Sequence, residues 1–177
     1  MGINKALLPF NGTRLIDHMI GLLYRVTPNI DGIIVSGSVE ETSYVPDLFP
    51  QKGPLGGLFS VLEHFQKTNF TQLLVIPVDM PLLTPELLSY LLRASHINRE
   101  FSAIMFEDYE LPLILRISAP LKHFLQSSIE EELPYKRSFH WLLDQLQTLV
   151  LPMPPQWENR LINANTPDQW REVEQRV

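Results

Sequence analysis

The stretch LLVIPVDMPLLTPELL, Leu73 to Leu88, decides how the chain reads. Its first part, Leu73 to Val78, is a continuous apolar run of strand length that stops at Asp79-Met80-Pro81. Such a run without polar alternation predicts a strand buried on both faces, which requires layers of helix above and below the sheet. The second part predicts a helix. Thr84 supplies a hydroxyl cap, Pro85 fits the first helical position, and Glu86 complements the positive end of the helix. Leu87, Leu88 and Leu91 form its core stripe.

The same alternation extends in both directions. Ile33 to Gly37, Ser102 to Phe106 and Leu111 to Ile117 read as further strands, and the run near Thr148 as a fifth. The four segments between Ile33 and Ile117 are expected to be buried on both faces. Helical spacing recurs at Leu15, Ile16, Met19, Ile20, Leu22 and Leu23, and at Leu58, Val61, Leu62 and Phe65. Helices are also expected over Ala119 to Leu125 and Phe139 to Leu146. The last helix opens at Thr166 with Gln169 three residues on, a capping box. Strands and helices in alternation with short connections predict an α/β fold, a mostly parallel sheet sandwiched by helices, as one domain over residues 1–177. Ligands of such sheets bind at the carboxyl ends of the strands.

Composition narrows the chemistry. The 177 residues are 45% hydrophobic and 19% charged, with a net charge of −6 and no cysteine. Thiol catalysis, disulfides and cysteine-ligated metals are excluded. The acidic balance, without a block of Lys or Arg, argues against nucleic acid or an anionic membrane as partner. It leaves room for a small anionic ligand, which needs only local cations and backbone N–H groups. No secretory signal is apparent, and no apolar run reaches the ~18–20 residues of a membrane span. A cytoplasmic location is expected.

Three candidate sites emerge from pattern. Asp79 places a carboxylate where a strand runs out, a position suited to Mg²⁺, which takes one or two protein oxygens plus substrate phosphates. A turn-initiating Asp would look the same. GPLGG, comprising Gly53, Pro54, Leu55, Gly56 and Gly57, precedes the helix expected from Leu58. It could let backbone N–H groups approach an anion, although a plain tight turn fits equally. Asn163 and Asn165 flank Ala164, and alternate residues of an extended segment point the same way, so both amides could face one ligand. The five histidines are never three to five residues apart, which removes a helical zinc pair, and no Gly-x-Ser-x-Gly elbow occurs.

Taken in order, MGINKALLPFNGTRLIDH, VPDLFPQKGPLGGLFSVL, LLVIPVDMPLLTPELL and LINANTPDQW resemble the molybdenum cofactor guanylyltransferase family. The resemblance implies a Rossmann-like nucleotidyltransferase that uses GTP, Mg²⁺ and molybdenum-molybdopterin. It would form the guanine dinucleotide cofactor and pyrophosphate, with molybdoenzymes or their chaperones as receiving partners. By position, Lys5 matches the lysine that closes the nucleotide loop on phosphate, and Asp79 the aspartate that holds the metal. Asp47 matches an acidic residue of the nucleotide pocket. Gly53 to Gly57 match the loop lining the substrate cleft, and Asn163 and Asn165 the paired asparagines near the pterin phosphate.

The match also implies departures. The family's Leu-Ala-Gly-Gly-x-Ser-x-Arg run and its first strand would precede Met1, so the chain is expected to be truncated at its N-terminus relative to the family. Lys5 then reads as the surviving end of a phosphate-binding loop. Glu110 stands where many relatives carry histidine. Two alternatives stay open: a non-catalytic relative that binds pterin or nucleotide, and a cytidylyltransferase acting on the same pterin.

Overall fold

The computed structural model describes residues 4–37, 44–66 and 68–176. A 3-10 turn over Lys5–Leu7 leads to a small antiparallel ribbon, β1 (Pro9–Phe10) and β2 (Thr13–Arg14). There follow α1 (Leu15–Leu23), β3 (Val35–Ser36), β4 (Tyr44–Val45), α2 (Gly53–His64), β5 (Gln72–Val75) and α3 (Pro85–Ile97). The second half contains β6 (Ala103–Phe106), β7 (Tyr109–Arg116), α4 (Ala119–Glu130), α5 (Phe139–Gln145), β8 (Thr148–Leu151) and α6 (Pro167–Glu174).

The main sheet has the order β5-β7-β6-β8. Strand β7 runs antiparallel to both neighbours, with Leu73 opposite Leu115 and Ile104 opposite Ile114, while β8 is parallel to β6. The sheet is therefore mixed where a mostly parallel one was expected. The cause is the tight β6–β7 connection, in which Asp108 takes a positive φ of 63° and reverses the chain without a crossover helix. Strands β3 and β4 pair in parallel as a separate two-stranded unit.

Side-chain alternation on the strands sorts the interior into two cores. Ile104, Phe106 and Ile114 join Leu15, Met19 and Leu22 of α1 and Leu87, Leu88 and Leu91 of α3 on one face. Ala103, Leu113 and Leu115 join Leu55, Leu58 and Leu62 of α2, Leu121 and Leu125 of α4, and Leu142 of α5 on the other. This is the helix–sheet–helix layering that the apolar runs predict. Each fully buried Leu contributes roughly 1.5–3 kcal/mol of transfer free energy.

Helix starts follow their signals. Thr84 Oγ1 accepts from the Leu87 N–H at 3.3 Å. Ser118 and Ser138 cap α4 and α5 in the same way. Thr166 and Gln169 form the reciprocal capping box at α6.

Two expectations fail. GPLGG is no loop ahead of a helix at Leu58; Gly53 begins the helix, because its φ of +68° turns the chain and Pro54 suits the first turn. Burial also differs among the strands. Ala103, Ile104, Phe106 and Leu113 to Leu115 are fully buried, whereas Ile33 to Val35 and Leu73 to Val78 are only half-buried. The half-buried runs border one cleft, and among the described residues no strand lies between them.

Candidate functional site

Lys5 is held in place by the turn that contains it. Asn4 accepts from the Ala6 N–H at 3.2 Å, Ala6 is buried, and the Leu15 N–H donates to the Leu8 carbonyl at 2.9 Å. The Lys5 ammonium donates to Asp79 Oδ2 at 3.2 Å and also to Asn165 Oδ1. Residues from the start, middle and end of the chain thus meet at one point.

Backbone contacts fix that junction. Asp79 lies four residues beyond the end of β5, directly after the Leu73–Val78 run, and its carbonyl accepts from the Ala164 N–H at 2.8 Å. Ala164 is fully buried while Asn163 and Asn165 are exposed, the alternation expected of an extended segment. Gln169 Oε1 accepts from the N–H groups of Asn165 and Thr166 at 2.9 and 3.0 Å, clamping Asn165 from the first turn of α6. His18 Nε2 lies 3.1 Å from the Pro81 carbonyl and ties α1 to the segment after Asp79. Burial holds the His18 pKa below its usual value, against the opposing pull of that carbonyl. The neutral ring therefore donates from Nε2.

The Lys5–Asp79 pair is accessible: the side chains retain 29% and 23% of their exposure. A partly solvated pair can exchange partners when a ligand arrives at little cost. Among the described residues, Asp79 Oδ1 makes no hydrogen bond, and neither does the Asn163 amide. No cluster of three or more His, Asp or Glu occurs there. One free carboxylate oxygen with no protein cage suits a cation that draws its other ligands from water and phosphate, as Mg²⁺ does.

The neighbouring cleft has a volume of about 530 Å³ and is bordered by Val78, Asp47, Gly53, Pro54 and Gly57. No side chain caps the start of α2, so its first N–H groups remain available to an anion. Gly57 allows a close approach: a Cβ there would lie 3.1 Å from Ser36 Oγ and 3.4 Å from Asp47 Oδ1. Asp47 is exposed on this wall and, among the described residues, makes no hydrogen bond or ion pair with Lys5 or Asp79.

The GPLGG residues do not act alike. Gly53, Pro54 and Gly57 face the cleft, but the Leu55 side chain is fully buried in the α2 core. Gly56 packs against the preceding turn, where a Cβ would fall 2.9 Å from Lys52 Cβ. A helix must bury one stripe, and Leu55 falls on it, so its side chain serves the core rather than a ligand. Sequence reading misses Gln169 and His18 as supports, and Leu111 and Phe139 as cleft lining. The capping-box pattern already marks Gln169; nothing local marks the other three.

The fold is a Rossmann-like α/β architecture. The MobA-like NTP transferase domain matches residues 1–142, and the chain belongs to that family. It is 36% identical over 170 residues to the molybdenum cofactor guanylyltransferase of Xanthomonas euvesicatoria, covering 96% of this chain and 85% of that protein. The molybdenum cofactor guanylyltransferase of Shewanella baltica is 27% identical, covering 95% of this chain and 85% of its own. Among solved structures, molybdopterin-guanine dinucleotide biosynthesis protein A from Archaeoglobus fulgidus superposes with a TM-score of 0.71 at 22% identity, over 98% of this chain and 90% of that one. Among the described residues, no helix is long and apolar enough to cross a membrane.

Proposed function

We propose that the protein, acting as one domain, transfers GMP from GTP to molybdenum-molybdopterin, forming molybdopterin guanine dinucleotide and pyrophosphate. The convergence of Lys5, Asp79 and Asn165, next in sequence to the cleft-lining Val78, carries this reading. Similarity to curated guanylyltransferases along most of the chain supports it.

In this reaction a terminal phosphate oxygen of the pterin attacks the α-phosphorus of GTP, the bond to the bridging oxygen breaks, and pyrophosphate leaves. Both reactants are anions, so positioning and charge neutralisation dominate the barrier. The attacking oxygen is already ionised near neutral pH, and no general base is required. Lys5 leaves Asp79 for a phosphate oxygen and offsets charge on the departing group. Asp79 would hold Mg²⁺, which would supply charge neutralisation to the phosphates. The start of α2 at Gly53 and Pro54, with Gly57 and Asp47, borders the nucleotide, while Asn163 and Asn165 donate amide hydrogens to the pterin phosphate. The neighbouring Leu55 and Gly56 support that helix turn from within. A cytoplasmic setting, with hand-over to molybdoenzymes or their chaperones, completes the reading.

The test is turnover. Purified protein with GTP, Mg²⁺ and molybdenum-molybdopterin should release pyrophosphate and give the dinucleotide by mass spectrometry, and CTP should not replace GTP. Pterin binding without pyrophosphate release would instead make the chain a binding protein. Preferential use of CTP would make it a cytidylyltransferase.

A further inference from the structure

We propose that Phe10 is a positioning residue of the site: its ring, shared between His18 and Trp170, sets the spacing of the three chain segments that carry Lys5, Asp79 and Asn165. This deepens the guanylyl-transfer reading and rests on it for the kinetic half of the test.

The ring is a junction. Phe10 ends β1 and is 2% exposed, within the core that α1 and α3 share. Its centroid lies 4.8 Å from that of His18, with the planes at 76°, and 5.7 Å from that of Trp170, with the planes at 65°. Such edge-type contacts favour a narrow range of angle and distance, so they carry position as well as burial.

Each arm from this junction to the site is short. The Leu8 N–H donates to the Lys5 carbonyl at 3.0 Å, and Pro9, with its restricted φ, joins that turn to Phe10. Thr13 Oγ1 donates to the Phe10 carbonyl at 3.3 Å and holds the ring's own backbone. His18 Nε2 lies 3.1 Å from the carbonyl of Pro81, two residues beyond Asp79. Trp170 follows Gln169, which accepts from the Asn165 and Thr166 N–H groups, and the Trp170 N–H donates to the Thr166 carbonyl at 2.9 Å. The indole Nε1–H donates to Glu174 at 3.1 Å and so fixes the orientation of that ring.

The polar groups do not supply this precision themselves. Lys5 has a flexible stem, its pair with Asp79 is partly solvated, and Asn165 is exposed. Phosphoryl transfer depends on placement, and an error of about 1 Å is costly. Close-packed interior groups resist small displacements better than solvated ion pairs do, so a buried ring common to all three arms sets the placement.

Lys5 reports on the junction without any substrate, because its ammonium is engaged by Asp79 and Asn165 and acylates when released from them. The full chain is treated with acetic anhydride and the lysines are compared by mass spectrometry, with Lys122 on α4 as internal reference. Phe10→Leu keeps an apolar side chain but removes the ring, and Lys5 should then acetylate about threefold faster. Trp170→Phe keeps a ring and should stay within about twofold of the parent, whereas Trp170→Leu should behave like Phe10→Leu. Leu125→Ala, in the opposite core, should lower the melting temperature and leave Lys5 unchanged. In turnover, Phe10→Leu should lower kcat about tenfold, and Trp170→Leu should chiefly raise KM for the pterin. The Phe10→Leu/Trp170→Leu protein should match Phe10→Leu in kcat/KM, since both changes remove one junction.

Unchanged Lys5 acetylation in Phe10→Leu, an equal rise in Leu125→Ala, unchanged kinetics beside an active parent, or additive losses in the double variant would each overturn the proposal. Should Phe10→Leu not fold, Trp170→Leu at its half-buried position decides: unchanged Lys5 acetylation there overturns it too. A parent without turnover, with the acetylation differences intact, would strike the enzymatic reading and leave the junction standing.

Discussion

Lys5 and Asp79 are 74 residues apart in sequence, yet the lysine ammonium lies 3.2 Å from the aspartate Oδ2. The pair joins a turn at the front of the molecule to the end of the Leu73–Val78 run. Both groups keep access to solvent, which separates their chemical importance from their structural importance.

Asp79→Ala should therefore abolish turnover while barely moving stability. A partly solvated ion pair contributes little to stability, about 0–1 kcal/mol where it is fully exposed, whereas loss of a group that neutralises developing charge costs at least about a hundredfold in kcat. Pyrophosphate release and thermal melting, measured on one preparation, check both halves. A melting shift that accounts for the lost activity would make Asp79 structural.

Gly57 should be intolerant of bulk. Gly57→Val drives a branched side chain toward Ser36 Oγ and Asp47 Oδ1 and should cost about 1–3 kcal/mol. Gly57→Ala gains helix propensity but meets Ser36 Oγ, so the Ser36→Ala/Gly57→Ala protein should be more stable than Gly57→Ala. Denaturant midpoints of the three variants decide this.

His18 should make stability depend on pH. Burial lowers its folded-state pKa below the usual 6.5, so between the two values the unfolded chain binds the proton and the folded one does not. The stability contributed by the neutral ring is complete above about pH 6.5 and is lost as pH falls through the depressed value. Unfolding midpoints for the parent should drop as pH falls below about 6.5, and His18→Gln, which keeps a donor toward Pro81, should lack that component.

Gln169 should matter for catalysis as well as for its helix. Thr166→Ala loses the N-cap and should cost about 0.5–2 kcal/mol. Gln169→Ala loses two hydrogen bonds, about 0.5–1.5 kcal/mol each, and also frees the segment bearing Asn165. Only the second should raise KM for the acceptor several-fold. A double-mutant cycle should show coupling, because the two side chains form one reciprocal motif.

The layering was legible because it rests on local signals. Continuous apolar runs at Ala103–Phe106 and Leu113–Leu115 are buried on both faces, and the Thr84 and Thr166 caps sit where hydroxyl, proline and acid or amide announce them. Pattern singles out Asp79 at the end of an apolar run and the asparagines on alternate positions, whereas Lys5 and Asp47 enter only through family resemblance. Local pattern cannot show direction within a sheet: β7 looks like a parallel strand until the Asp108 turn reverses it. Nor can it separate Leu55 from its cleft-facing neighbours without the helix phase that begins at Gly53. The half-burial of Leu73–Val78 follows from what lies beside the strand, which no property of the strand itself encodes.

The bond from the Ala164 N–H to the Asp79 carbonyl has a consequence for anyone recombining such enzymes. The family match ends at residue 142, so Asn163 and Asn165 arrive on a tail that docks onto the Asp79 segment, beyond the end of β5, from outside the matched region. A chimaera spliced between the two would keep its lysine and carboxylate but import a foreign latch. Unless the donor tail presents an amide N–H at the same height, the graft would leave the Asp79 carbonyl without its partner and Lys5 without the Asn165 amide oxygen.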